Sequence, residues 1–278
     1  MRVLRDELQR MPDAAAFVAF KSHDPVVWLL DVKVVQDLYT IHNKFFDKHP
    51  IAREVTYELL GGSILFADTN EMWRKRRTAL SPAFYKGKLV QMVETAKASM
   101  RVTLAEWQHK DSSRIDLVHE ISLMFTRLLL RCAIGESLDG VTINFWQKGK
   151  VRKVEVQYAL RTCVQEMIDR LYHLHVYFCS SLATQYIFPY ERDILANCRE
   201  IRSLFHKMVE KRRKELIEDP HTKEGDLLSI LLSDPLFNTE NEMIVDEVLT
   251  FFTAGSQTSA ITTQNLVLHL LKHPHYKD

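Results

Sequence analysis

The chain has 278 residues, with 37 Lys and Arg against 36 Asp and Glu, 46% hydrophobic and 26% charged residues. That balance excludes a disordered chain and a nucleic-acid binder that works by bulk positive charge. With 8 Gly and 8 Pro against the roughly 20 and 14 of average usage, it also weighs against an all-β sandwich or barrel, whose turns consume both residues.

The apolar stretch from Ala14 to Phe20 follows Asp13 and runs into Lys21-Ser22-His23-Asp24. It is too short for a bilayer span and wrongly flanked for a secretory signal, so the chain is expected to carry neither anchor nor export signal. Ala16 to Phe20 reads as a strand pairing in a hairpin with Val26-Val27-Trp28-Leu29-Leu30. After Asp31 the apolar residues Val34, Val35, Leu38 and Ile41 recur at helical spacing.

Gly61-Gly62 interrupts the chain before a helix predicted from Asp68 to Leu80, entered through Asp68 or Thr69 and stopped by Ser81-Pro82. Helical patterns follow over Leu89 to Trp107, Leu117 to Ile134, Val154 to Leu171 and Ile194 to Ile217, the last ended by Asp219-Pro220-His221. Asp226 to Leu232 begins another. The longest runs from Glu240 to Lys272, with Thr239 and Glu242 at capping-box spacing. At 1.5 Å per residue it spans about 50 Å, enough to cross a domain core. No repeat, Gly/Ser linker or Pro-rich tract divides the chain, which reads as one domain over residues 1–278.

The long helix is interrupted at Ala254-Gly255-Ser256, three positions almost without side chains, followed by Gln257-Thr258-Ser259. The notch admits either a bulky group against the backbone or a closely packed second helix. Locally the second reading is favoured. The Thr258 hydroxyl is placed to bond the Ala254 carbonyl. Trp73 and Arg77, four apart on one helical face, offer an indole N–H and a permanent cation suited to a carboxylate. Arg74, Lys75 and Arg76 are expected on a solvated surface.

His269 and His273 are four apart with His275 beyond, but no Cys or acidic ligand accompanies them, and His173-Leu174-His175 is weaker still. The four cysteines, Cys132, Cys163, Cys179 and Cys198, form neither a disulfide framework nor a zinc ribbon, which suggests a reducing compartment. Nucleophile-elbow, P-loop, His-Glu-x-x-His and dinucleotide glycine motifs are absent from the sequence.

Together these residues resemble the cytochrome P-450 family of haem-thiolate monooxygenases, in the manner of eukaryotic microsomal members. Ala254-Gly255-Ser256-Gln257-Thr258-Ser259 is similar to the central I-helix motif. Trp73-x-x-x-Arg77 followed by Leu80-Ser81-Pro82-Ala83-Phe84 is similar to the C helix and its exit. Val26 to Leu38 is similar to the early hairpin and B helix, Glu210 to Leu228 to the H region, and Leu271-Lys272-His273-Pro274 to the I–J junction.

The resemblance implies a mainly α fold with a small N-terminal β hairpin, a partial P-450 fold from the A/B region through the I helix. It implies that Trp73 and Arg77 hold a haem propionate, that Ala254 and Gly255 border the haem, and that Thr258 and Gln257 serve oxygen activation. Gln257 stands where the family has an acid, which implies slower or less coupled oxygen activation.

The family's Glu-x-x-Arg helix and thiolate-bearing Cys loop are not matched. Glu7–Arg10, Glu71–Arg74 and Glu210–Arg213 lie upstream of the I helix and are chance matches. The chain is therefore expected to be the proximal half of such an enzyme, inactive alone and without an axial cysteine. The complete protein is expected to use O2, electrons from NADPH through a reductase and a small apolar substrate. It is expected at the cytosolic face of the endoplasmic reticulum membrane, reached only through an anchor these residues lack. Residues 141 to 200, with Phe178, Tyr186, Phe188 and Tyr190, would roof the pocket. The alternative is a non-catalytic helical fragment that offers Arg74 to Arg76 to an acidic partner.

Overall fold

The computed structural model describes residues 14–21, 24–110, 115–173, 175–179, 181–219 and 225–276. Glu7–Arg10, Asp13, Pro220-His221 and the last two residues fall outside them. Contacts divide the chain into residues 1–49 and 50–278.

In the first unit, β1 (Ala16–Lys21) pairs antiparallel with β2 (Asp24–Leu29), in register from Ala16 opposite Leu29 to Lys21 opposite Asp24. Phe17 and Trp28 face each other across the strands with ring centroids 6.0 Å apart. Asp31 then starts α1 (Val32–Thr40), its carboxylate accepting from the Lys33 and Val34 amides at 2.7 and 3.2 Å.

The second unit is helical around one core. In chain order it holds α2 (Pro50–Leu60), α3 (Glu71–Leu80), α4 (Lys86–Gln108) and α5 (Leu117–Ile134). After β3 (Thr142–Gln147) and β4 (Lys150–Glu155) come α6 (Val156–Arg170), α7 (His175–Phe178), α8 (Ser181–Ile187) and α9 (Pro189–Glu218). The last are α10 (Leu227–Ser233) and α11 (Asn241–Lys272). In α11, Ile244, Val245, Val248, Leu249 and Phe252 are fully buried, whereas Ile261, Leu266, Leu268 and Leu271 are exposed. The helix thus crosses the core with its first half only.

Two local expectations are corrected. Asn70, not Asp68 or Thr69, caps α3, accepting from the Trp73 amide at 2.9 Å. Asp68 is drawn off by Arg53, 2.9 Å away. As expected, α3 ends at Leu80 before Ser81-Pro82, and Ser81–Phe84 follow as a 3-10 turn, proline being tolerated in a first turn. At the start of α11 no capping box forms. Glu242 is recruited by Arg202 and His206, and the Thr239 hydroxyl donates to Leu236 O.

The hairpin β3–β4 was not foreseen, and α6 begins only at Val156. Its turn takes positive φ at Lys148 (52°) and Gly149 (71°), the twist two-residue hairpins need. Phe145 is fully buried on it. Residues 141–155 therefore stand against α9 as a hairpin, and within the expected roof Phe178, Tyr186 and Tyr190 are exposed.

Asn197 of α9 clamps the hairpin by accepting from the Trp146 amide (2.7 Å) and donating to its carbonyl (2.9 Å). Asn197→Ala is expected to cost about 1–3 kcal/mol, because two half-buried backbone groups of Trp146 lose their partner. Faster amide exchange confined to residues 142–155 would check it.

Candidate functional site

The α2–α3 connection is built around a turn only glycine can make. Gly61 has φ 53°, and a Cβ there would lie 2.0 Å from Asp246 Oδ1. This close approach lets the Gly62 amide donate to Asp246 Oδ2 at 2.8 Å and the Ile64 amide to Glu247 Oε1 at 3.1 Å. Two cations complete the arrangement. Arg202 of α9 donates to Asp246 Oδ1 (2.7 Å) and Leu59 O (2.9 Å). Arg76 of α3 donates to Glu247 Oε1 (2.5 Å) and Gly62 O (2.6 Å).

Arg76 is thus not on a solvated face. It is a buried strut fixing α3 to α11, and the basic surface reduces to Arg74 and Lys75, the latter paired with Glu71. Burial pushes the Glu247 carboxyl up to about 7 against the pull of Arg76, and raises Asp246 against that of Arg202. The sequence reading missed all four residues. The available signal was Asp246-Glu247 inside the apolar run from Ile244 to Leu249, since two carboxylates there demand buried cations.

With α3 so anchored, Trp73 and Arg77 share a face as expected. The guanidinium carbon lies 5.4 Å from the indole ring centre. The Trp73 N–H donates to Ile64 O at 2.9 Å, while Arg77 is exposed and forms no ion pair among the described residues. The exit of α3 runs straight to α11, where Phe84 meets Phe251 with ring centroids 5.2 Å apart. Ala83, Phe84, Leu129, Phe251, Ala254 and Gly255 border one apolar cavity of about 290 Å³.

At the notch the two local readings separate by residue. A Cβ on Gly255 would meet Leu129 Cδ1 at 3.0 Å, so this position serves close packing of α11 on α5. Ala254 and Thr258 lie on the exposed edge. The Thr258 hydroxyl donates to Ala254 O at 2.7 Å, as the spacing indicates. Gln257 faces the other way, into a more polar cavity of about 430 Å³ shared with Ser122, Arg161, Gln165 and Gln264.

Of the cysteines, Cys163 and Cys198 are fully buried, and burial pushes the Cys132 thiol up to about 11. His269, His273 and His275 do not form a three-ligand cluster among the described residues.

The family model for cytochrome P450 matches residues 6–278. A cytokinin hydroxylase of Arabidopsis thaliana is 24% identical over 279 residues, covering 94% of this chain and 49% of that protein. A cyclooctat-9-en-7-ol 5-monooxygenase of Streptomyces melanosporofaciens is 26% identical over 239 residues, covering 84% of this chain and 47% of its own. The crystal structure of the cytochrome P450DA heme domain superposes with a TM-score of 0.73 at 18% identity, covering 98% of this chain and 56% of that one. The chain spans about half the length of the curated relatives it matches.

Proposed function

The chain belongs to the cytochrome P450 family, and on that premise we propose that residues 1–278 form the proximal part of a haem-dependent monooxygenase domain. The observation that carries the reading is the pairing of an uncompensated cation, Arg77, with an apolar cavity bordered by Ala254 that begins where α3 ends. A propionate needs the first and a flat macrocycle the second.

Arg77 would grip a haem propionate, and Trp73 would act mainly as the platform under the guanidinium, because its N–H is already committed to Ile64 O. When bound, the haem would supply activation of O2 with electrons from NADPH through a reductase. Ala254 would border it. Gly255, which borders the same cavity, would also let α5 approach and set the position of α11. Thr258 donates its own proton to Ala254 O, so its free lone pairs are poised to accept a hydrogen bond at the exposed edge. Gln257 cannot ionise, and in the polar cavity beside Arg161 and Gln165 its amide would orient water rather than release a proton.

Three of the four cysteines do not suit an axial thiolate. The thiol of Cys132, which borders the cavity, is held neutral, and Cys163 and Cys198 are enclosed in the core. On this reading the substrate is small and apolar, the complete protein works at the endoplasmic reticulum membrane, and this chain alone carries no thiolate-ligated haem. No helix among the described residues is long and apolar enough to cross a membrane. The alternative of a scaffold presenting Arg74 to Arg76 loses Arg76 to the core.

Haem titration of the purified chain tests the proposal. Saturable binding that Arg77→Ala weakens at least tenfold (about 1.4 kcal/mol) and Arg74→Ala leaves unchanged is expected. Binding indifferent to Arg77 would overturn the propionate assignment. A thiolate-type band with carbon monoxide after reduction would overturn the assignment of the cysteines.

A further inference from the structure

We propose that His173, His175 and Glu191 form a binding site for a divalent metal ion of the zinc type, separate from the cavity beside Ala254. The three side chains each offer a ligand atom, and these atoms lie within 4.8 Å of one another. Their origins explain why the sequence hides the cluster. The two histidines alternate at the entry of α7, and the glutamate comes 16 residues later in the first turn of α9.

The glutamate is the unusual member. Its carboxylate is completely buried, which requires compensation by cations or strong donors. Arg170 lies 2.9 Å from Oε2 but off the line of a hydrogen bond, so the oxygen keeps bonding capacity. The Arg170 guanidinium is itself held by donation to Val55 O at 2.8 Å. It thereby fixes the carboxylate with Oε1 toward the histidines, 2.9 Å from His175 Nε2. That is the arrangement in which an outer partner orients a metal-binding carboxylate.

The imidazoles add the second observation. His173 Nδ1 is buried and has no hydrogen-bond partner, while its ring centre is 5.3 Å from that of His175. An orphaned ring nitrogen in such a place costs about 1–3 kcal/mol, and coordination would remove that cost. Phe188, with its ring centre 4.4 Å from that of His175, and Tyr190, 5.9 Å away, pack against the rings, and the Tyr190 hydroxyl lies 3.2 Å from His175 Nε2, a contact that coordination would replace.

The surroundings favour a cation beyond Arg170. Nearby Glu166 has a buried oxygen without a partner, and it feels the negative charge of Asp193, Asp169 and Glu191. Two neutral imidazoles and one carboxylate are a zinc-type donor set, with the fourth tetrahedral position left to water.

The test uses the whole chain, stripped with a chelator and titrated with Zn2+ in competition with a chromophoric chelator. One equivalent bound is expected, with Glu191→Gln and His173→Ala each weakening it at least tenfold. The double variant of His269→Ala and His273→Ala should leave it unchanged. No saturable binding, or binding indifferent to Glu191→Gln and His173→Ala, would overturn the site. If circular dichroism shows either variant unfolded, Co2+ bound to the unaltered chain decides. Intense tetrahedral ligand-field bands support the site, and only the weak octahedral spectrum of hydrated Co2+ overturns it.

Discussion

Arg76→Ala is expected to lower the melting temperature by roughly 6–20 °C, from about 3–5 kcal/mol for breaking a buried ion pair at about 2–4 °C per kcal/mol in a chain of this size. The cost arises less from the lost attraction than from what remains. Glu247 is fully buried, and without Arg76 only the Ile64 amide still faces its carboxylate, with Asp246 adding a like charge beside it. Gly62 O also loses its donor. Arg76→Ala combined with Glu247→Gln should recover a large part of the loss, because the stranded charge is gone.

The pH dependence provides an independent check. The Glu247 carboxyl is raised from 4.5 to about 7 in the folded chain, so the folded state holds a proton that the unfolded state releases. That contribution to stability is fully present below about 4.5 and is lost as pH rises through about 7, with a total near 3 kcal/mol. Removing Arg76 takes away an attraction that keeps the value from rising further. The destabilisation by Arg76→Ala should therefore be smaller at pH 5.5 than at pH 8.5, as denaturant midpoints at the two values would show. Equal losses at both would mean that Glu247 is ionised throughout.

What the sequence conveys divides along the range of the interactions concerned. The bounds of α5 are local: Asp116 caps its start and Gly135, at φ 66°, ends it, so Leu117 to Ile134 could be read without knowing the fold. The first hairpin and the capping role of Asp31 are local in the same way. The second hairpin was hidden because its turn is Lys148-Gly149 rather than Asn-Gly, and because β4 carries Lys150, Arg152 and Lys153 with little apolar alternation.

The errors at the site are all long-range. Adjacent positions on a helix differ by about 100° of arc, so no spacing rule says which of Arg76 and Arg77 turns inward. That is decided by Glu247, 171 positions away. The split between Gly255, packed on Leu129, and Ala254, left on the open edge, is decided likewise by α5. Trp73 and Arg77, by contrast, lie four apart on one helix, and their shared face was legible for that reason alone, although the guanidinium lying over the indole was not.

The second large effect expected is at Arg212, which is almost fully buried and, besides donating to Glu215 Oε2 (3.2 Å), reaches three groups on neighbouring elements. It reaches Asp226 Oδ2 (2.6 Å), Ser229 Oγ (2.7 Å) and Ile134 O (2.6 Å). These join α9 to the end of α5 and the start of α10. Asp226 is doubly used, since its other oxygen caps α10 by accepting from the Ser229 amide at 2.7 Å. Arg212→Ala should therefore cost about 3–5 kcal/mol and appear first as loss of amide protection over residues 227–233.

Arg212→Lys should recover only a minor part. A single ammonium on a flexible stem cannot span a carboxylate, a hydroxyl and a carbonyl that a planar fork reaches together. Lys211→Ala, one residue away, removes an exposed pair with Glu136 and should cost no more than about 1 kcal/mol. The consequence reaches the cavity, because Leu227 at the start of α10 lines it opposite Ala254 and Gly255. Loosening α10 should therefore raise binding of an apolar fluorescent dye in Arg212→Ala well before global unfolding, whereas in Lys211→Ala dye binding should follow unfolding alone.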